Sequence, residues 1–199
     1  LLREEAPENS LFALQERGIL AAVHPSFALS DRLADHFSAA REQSAPWEMA
    51  APNPIHLDWH VIAAGLTPDA AKDVCDRLLF GRTVAESLIG AARVVALTPL
   101  LADPETRPST VSAKLDPMTD LALYAAWLVI EDQAARDRIF KYASTWRHMR
   151  SATTGHTLRE LGLEPGPCYR RLLERLRAAR LDGEVGSDHE EDLLLKTLI

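Results

Sequence analysis

Gly155-His156-Thr157-Leu158-Arg159-Glu160-Leu161-Gly162-Leu163-Glu164-Pro165-Gly166-Pro167 is the most sharply punctuated stretch of the chain, and a segment with Leu172, Leu173, Leu176 and Ala179 on one helical face follows it. The spacing predicts a short helix ended by Gly162 in the left-handed conformation. Pro165-Gly166-Pro167 then turns the chain tightly and starts the next helix with free amides pointing outward. A helix N-terminus of this kind attracts phosphate. On a helical wheel Arg170, Arg171, Arg175 and Arg177 lie outside the leucine stripe, and Arg180 sits on its shoulder. One face packs while another offers guanidinium groups suited to bidentate phosphate contacts. Trp146, Arg147, His148 and Arg150 arrive just before this unit, and Leu181-Asp182-Gly183-Glu184 closes it. The same pattern also suits a purely structural helical hairpin punctuated by Gly and Pro.

Working outward, almost every segment carries a helical period. Helices are expected over 8–17, 30–41, 55–64, 68–80, 82–98, 108–115, 117–130 and 133–148, with a short apolar piece at Ile19 to Val23. Thr67-Pro68 and Asp116-Pro117 both read as a cap followed by proline at the first helical position. Ser187 with Glu190 three residues later reads as a capping box for the last helix. Prolines at 46, 52 and 54, and again at 99, 104 and 108, mark breaks. No run of alternating β-branched residues and no solenoid period occurs, so the class is all-α. A seam between a larger body and a smaller tail is expected near 147–155.

Hydrophobic residues make up 47% and charged residues 26% of the 199, which suits a folded globular chain rather than a disordered one. The apolar runs fall short of a membrane span and no N-terminal signal pattern is present, so the expected location is the cytoplasm. Cys75 and Cys168 are too isolated for a disulfide framework or a zinc knuckle. The chain starts at Leu1 rather than Met, which suggests a piece of something longer.

The net charge of −7 argues against a nucleic-acid partner until its distribution is read. Residues 136–180 hold eleven Lys and Arg against four Asp and Glu, whereas the remainder holds eleven against 25. That asymmetry points to an anionic partner at one end.

Metal-dependent nucleotidyl transfer needs carboxylates fixed on a strand beside a phosphate-cradling turn, and neither pattern occurs. Phosphate-loop and nucleophile-elbow motifs are also absent. His56, Asp58 and His60 have the spacing of a metal pair on one helical face. They sit at a helix start with no convincing third ligand, so they read as structural. Glu131, Asp132 and Arg136 resemble an acidic-acidic-basic base-reading template, but the acids read more simply as the start of a helix.

At residues 155–191 the chain resembles the tail of class II tRNA nucleotidyltransferases and their bacterial poly(A) polymerase relatives. That tail carries a Gly-x-x-Leu-x-x-Leu-Gly-x-x-Pro-Gly-Pro element, a helix, a Leu-Asp-Gly turn and an acidic pair, here Glu190-Glu191. Ala13 to Leu20 with His24-Pro25 is similar to the end of the family's neck, and the middle of the chain looks like its helical body. The resemblance implies a neck end over 1–28, a body over 29–148 and an RNA-binding tail over 149–199. It implies tRNA or another structured RNA as the partner, and the basic tail with its Gly166-Pro167 helix start makes Lys141, Arg147, Arg150, Gly166, Arg170, Arg171, Arg175 and Arg177 the candidate contacts, with a homodimer left open. Magnesium and ATP or CTP would belong to a catalytic head that has no match here, so no cofactor, metal ligand or catalytic residue is carried over to this chain. The competing reading is a helical protein–protein module with a basic tail. On the first reading, the isolated chain with magnesium incorporates no ATP or CTP into tRNA. Measurable incorporation by a preparation shown free of host enzyme would contradict it.

Overall fold

The structure, a computed structural model, describes residues 2–4 and 6–199; Leu1 and Glu5 lie outside the described residues. It is all-α, with no strand among the described residues. The helices are α1 Pro7–Glu16, α2 Ile19–Val23, α3 Leu33–Glu42, α4 Pro54–Ala64, α5 Pro68–Arg77, α6 Arg82–Ala96, α7 Thr98–Ala102, α8 Pro108–Leu115, α9 Asp120–Val129, α10 Gln133–Ser144, α11 Gly155–Glu160, α12 Pro167–Leu181 and α13 Asp188–Leu198. A 3₁₀ turn, Trp146–His148, follows α10. No described helix is long and apolar enough to cross a membrane. The chain forms two compact units, one of Leu1–Asp103 with Pro117–Phe140, the other of Pro104–Asp116 with Lys141–Ile199.

The first unit is built on α4, α6 and α9, which pack on one another, with α5 against α6 and α3 against α4 and α9. The sequence explains the arrangement: α4 and α9 are apolar on nearly every side, the signature of a helix surrounded by others. Small residues let the backbones approach. A Cβ on Gly90 would meet the Met118 sulfur at 3.4 Å and the Ala122 Cβ at 3.5 Å. Trp47 stands edge-on to Tyr124 and Trp127, with ring centroids 6.1 and 6.3 Å away. The Tyr124 hydroxyl donates to the Gln43 carbonyl at 2.6 Å, which fastens the segment between α3 and α4 to α9.

Several boundaries differ from the sequence expectation, each for a visible reason. Asp116-Pro117 does not open a helix. Asp116 closes α8, and Thr119 caps α9 by accepting from the Ala122 N–H at 3.2 Å. α5 stops at Arg77 because the chain turns left-handed at Leu79 (φ 58°) and the Phe80 N–H bonds back to the Cys75 carbonyl. Pro99 lies in the first turn of α7, where a proline costs no hydrogen bond. The capping box at Ser187 is half formed: its hydroxyl accepts from the Glu190 N–H, but the Glu190 carboxylate takes the Gly186 N–H at 2.6 Å.

The His56-x-Asp58-x-His60 set resolves into structural roles and one oddity. His60 is buried, with Nδ1 donating to the His56 carbonyl at 2.6 Å and Nε2 2.8 Å from the Ser87 hydroxyl. Both ring nitrogens are thus engaged. Asp58 is the oddity, because it is 7% exposed and has no hydrogen-bond partner among the described residues. Burial pushes its carboxyl up from 3.8 to about 6, against the pull of Arg41. A raised folded value means that stability present at pH below about 4 is lost as pH rises through 6. Asp58→Asn removes that penalty. Its melting temperature is expected to exceed the wild type's by on the order of 5 °C at pH 8 and to match it near pH 4. A thermal melt of both proteins at the two pH values checks this; an unchanged difference across pH would contradict it.

Candidate nucleic-acid interface

In the second unit α12 packs against α8, α11 and α13. Its leucine stripe does what the spacing requires: Leu172 and Leu176 are buried with Leu158 of α11 and Leu195 of α13. Gly162 adopts φ 81°, and the Leu163 N–H returns to the Leu158 carbonyl at 3.2 Å, which closes α11. The Tyr169 hydroxyl then donates to the Leu163 carbonyl at 2.7 Å and holds the Pro165-Gly166-Pro167 turn against the helix it starts. Thr154 and Thr157 form a reciprocal capping box on α11 that the sequence reading did not anticipate.

Two carboxylates fix this unit. Asp182, in the Leu-Asp-Gly turn, accepts from the Ser109 N–H at 2.8 Å and the Ser109 hydroxyl at 2.7 Å, and so caps α8 from outside. Glu191 is fully buried and accepts from the N–H groups of Thr153 (2.8 Å) and Ala152 (3.2 Å) and from Arg180. Burial pushes the Glu191 carboxyl up, but those donors outweigh it and leave the group below the ordinary glutamate value.

The candidate arginines divide by what they touch. Arg177 makes two bonds to Asp116, at 2.5 and 3.2 Å, and donates to the carbonyls of Met149 (3.0 Å) and Trp146 (3.4 Å). Arg175 donates to Glu184 at 2.6 Å. Arg180 bridges Glu191 and Asp188. These three guanidiniums on the C-terminal half of α12 are committed to carboxylates within the unit. The N-terminal half is different. Arg170 is 84% exposed and pairs only along its own helix, with Glu174 at 2.9 Å. Arg171 is exposed, with no ion pair among the described residues. Lys141 and Arg159 are exposed in the same way.

Arg150 is exposed and donates to the carbonyls of Arg147 (2.6 Å) and Met149 (2.9 Å), while Arg147 is half-buried. Arg147, Arg150 and Arg177 are therefore gathered around one short loop. Arg170 and Arg171 stand about 10 Å further along the axis of α12, from the rise per residue. Gly166, extended at φ 175°, is the N-cap before Pro167. Overall this unit holds twelve Lys and Arg against eleven Asp and Glu, and the first unit ten against eighteen. The open cationic surface thus comes from placement rather than from net charge.

The Glu131-Asp132-Arg136 set lies in the first unit and is structural. Asp132 accepts from the Ala135 N–H at 2.9 Å as a helix cap, Glu131 pairs with Arg32, and Arg136 stacks 4.0 Å over Trp127. No group of three or more His, Cys, Asp or Glu side chains among the described residues is placed to hold a metal ion.

With this geometry, one comparison carries information. The chain is 23% identical to an A-adding tRNA nucleotidyltransferase of Geobacter sulfurreducens over 96% of its own length. It is similar to a tRNA nucleotidyltransferase. The chain spans 23% of that relative's length. No family model matches the chain, and no solved structure does.

Glu191 offers the direct test of how this surface is held. Glu191→Ala leaves two buried N–H groups without an acceptor and Arg180 without its inner partner. It is expected to cost about 2–4 kcal/mol in urea unfolding followed by circular dichroism. Because the folded value is lowered, the wild type's advantage is present above the ordinary glutamate value and is lost as pH falls through the lowered one. Equal unfolding midpoints at neutral pH would show that the carboxylate is dispensable.

Proposed function

We propose that this chain is the RNA-holding helical portion of a tRNA nucleotidyltransferase, and that it grips the sugar–phosphate backbone of tRNA with the open cations around α12. The observation that carries the reading is the exposed pair Arg170 and Arg171, beside the Gly166-Pro167 helix start, in a chain similar along 96% of its length to an A-adding enzyme. A-form RNA hides its bases in a narrow major groove and presents phosphates and 2′-hydroxyls, so arginines without base-reading geometry suffice. Helix N-termini add backbone N–H donors for the same oxygens.

On this reading Arg177 and Arg175 shape the surface, whereas Arg170, Arg171, Arg159, Arg150, Arg147 and Lys141 touch RNA. Contacts far from the 3′ end would fix its distance and orientation at a catalytic head, which is catalysis by positioning supplied remotely. Nucleotide selection, magnesium and ATP or CTP would belong to that head. The addition of A alone, of CCA or of a poly(A) tail would be decided there too.

The experiment is titration of labelled tRNA at several salt concentrations. With about four to six phosphates neutralised, log affinity falls against log salt with a slope of about −3 to −5, a loss of about sixtyfold to a thousandfold between about 50 and 200 mM. Arg170→Ala with Arg171→Ala reduces the magnitude of the slope by about 2 and weakens different tRNAs alike, because phosphate contacts carry no sequence information. Both side chains are exposed, so the melting temperature stays within about 1 °C of the wild type's. Equal slope and equal affinity for the double variant would contradict the proposal. A salt-sensitive self-association without RNA affinity would favour a protein–protein module instead.

A further inference from the structure

The first unit contains a cavity of about 390 Å³ walled by α3, α4, α9 and the segment between α3 and α4. That volume falls in the range of small-ligand pockets. Its walls include Trp47, Met49, Leu57 and Tyr124, its rim includes Arg41, and Asp58 faces it from α4. Trp47, Leu57, Asp58 and Tyr124 are buried while Arg41, Gln43 and Ser44 are exposed, so the cavity has a buried floor and an open mouth.

One polar group in this wall lacks a protein partner. Asp58, more than nine-tenths buried, accepts no hydrogen bond among the described residues. The Trp47 indole N–H has no partner among the described residues either, but it is shielded from solvent and does not open into the cavity, so the Trp47 ring serves only as wall. A carboxylate this buried, open only to the cavity and without a protein donor, is a group that a ligand's N–H donors can complete. The nearby cation does not complete it, because Arg41 is committed to Glu8 through bonds of 3.1 and 3.3 Å.

What fits is a flat ring that offers two adjacent N–H donors to a carboxylate. Among the nucleobases only guanine does so, with N1–H and the 2-amino group side by side and O6 and N7 as acceptors. Adenine and cytosine set a ring acceptor beside their amine, which would face the carboxylate lone pairs. Uracil has a single N–H between two acceptors. Aromatic and aliphatic walls suit the faces of such a ring.

We propose that this cavity is a guanine-binding site in which the Asp58 carboxylate accepts from N1–H and the 2-amino group, and Trp47 stands in the wall. The guanine is either a free guanosine nucleotide or an unpaired guanine of an RNA chain. The carboxylate is available at neutral pH, since burial lifts the group only to about 6.

Calorimetric titration of the full chain with the 5′-monophosphates of guanosine, inosine, adenosine, cytidine and uridine is the first arm. The second uses a short single-stranded RNA with one guanine, and the same RNA with inosine in its place. Guanosine monophosphate, or the guanine RNA, binds saturably and at least about tenfold more tightly than every counterpart, including inosine, which lacks only the 2-amino group. Asp58→Asn, which keeps the shape but turns an amide donor or a neutral oxygen toward the base, weakens that binding by about tenfold or more. Trp47→Phe, which keeps an aromatic wall, weakens it by a smaller factor.

Binding of the monophosphate identifies the free nucleotide as sufficient; binding of the RNA alone assigns the guanine to an RNA chain. No preference for guanine in either arm overturns the proposal, as does equal affinity of wild type and Asp58→Asn. The Arg170→Ala, Arg171→Ala variant separates this site from the basic surface, because it retains the affinity for guanosine monophosphate whether or not it still binds tRNA.

Discussion

The buried carboxylate of Glu191 decides what the arginines of α12 are free to do. It accepts from the backbone ahead of α11, from α12 through Arg180, and it does so from α13, so three parts of one unit meet at a single charge. A carboxylate without water requires such a complement of donors, because an unpaired buried charge costs several kcal/mol. Once Arg180 is drawn inward, Asp188 and Glu184 lie beside the C-terminal half of α12, and Arg175 pairs there as well. Asp116 takes Arg177. The positive charge that remains in solvent is concentrated toward the start of α12, beside the Gly166-Pro167 turn.

Local rules made much of this legible before the fold was known. Gly162 needs a left-handed backbone, Pro167 suits a first helical turn, and Leu172, Leu173, Leu176 and Ala179 repeat at a helical period, so α11 and α12 could be placed from sequence. The all-α class followed from the same periodicities. The misses come from pairs far apart in sequence. Asp182 caps a helix 73 residues earlier, and Asp116 looked like the cap of a following helix when its oxygens bind Arg177, 61 residues on. A helical wheel placed Arg177 outside the leucine stripe correctly enough, but only the tertiary structure shows a carboxylate waiting there. The candidate surface was therefore visible as charge, while the division into committed and open arginines was not. Asp58 was conspicuous for its histidine neighbours, and its burial without a partner was beyond any spacing argument.

The proposed grip on an RNA backbone would make particular demands of these features. Affinity would need cations that keep their charge accessible, and register would need some of them anchored on a rigid element, as Arg170 and Arg171 are on α12. α12 supplies the rigid element through its buried leucines, and the internal carboxylates prevent the whole helix from becoming an indiscriminate basic rod. The near balance of charge in this unit, with a strongly acidic first unit, also limits non-specific attraction to polyanions.

Backbone amide hydrogen exchange on the full chain, with and without tRNA at low salt, tests the central claim most directly. The account predicts slowed exchange on tRNA addition at residues 166–171 and 147–151, with the amides of Ala152 and Thr153 already protected in the free chain by Glu191. Slowing confined to the first unit, or absent at the start of α12 under conditions where tRNA is bound, would contradict it.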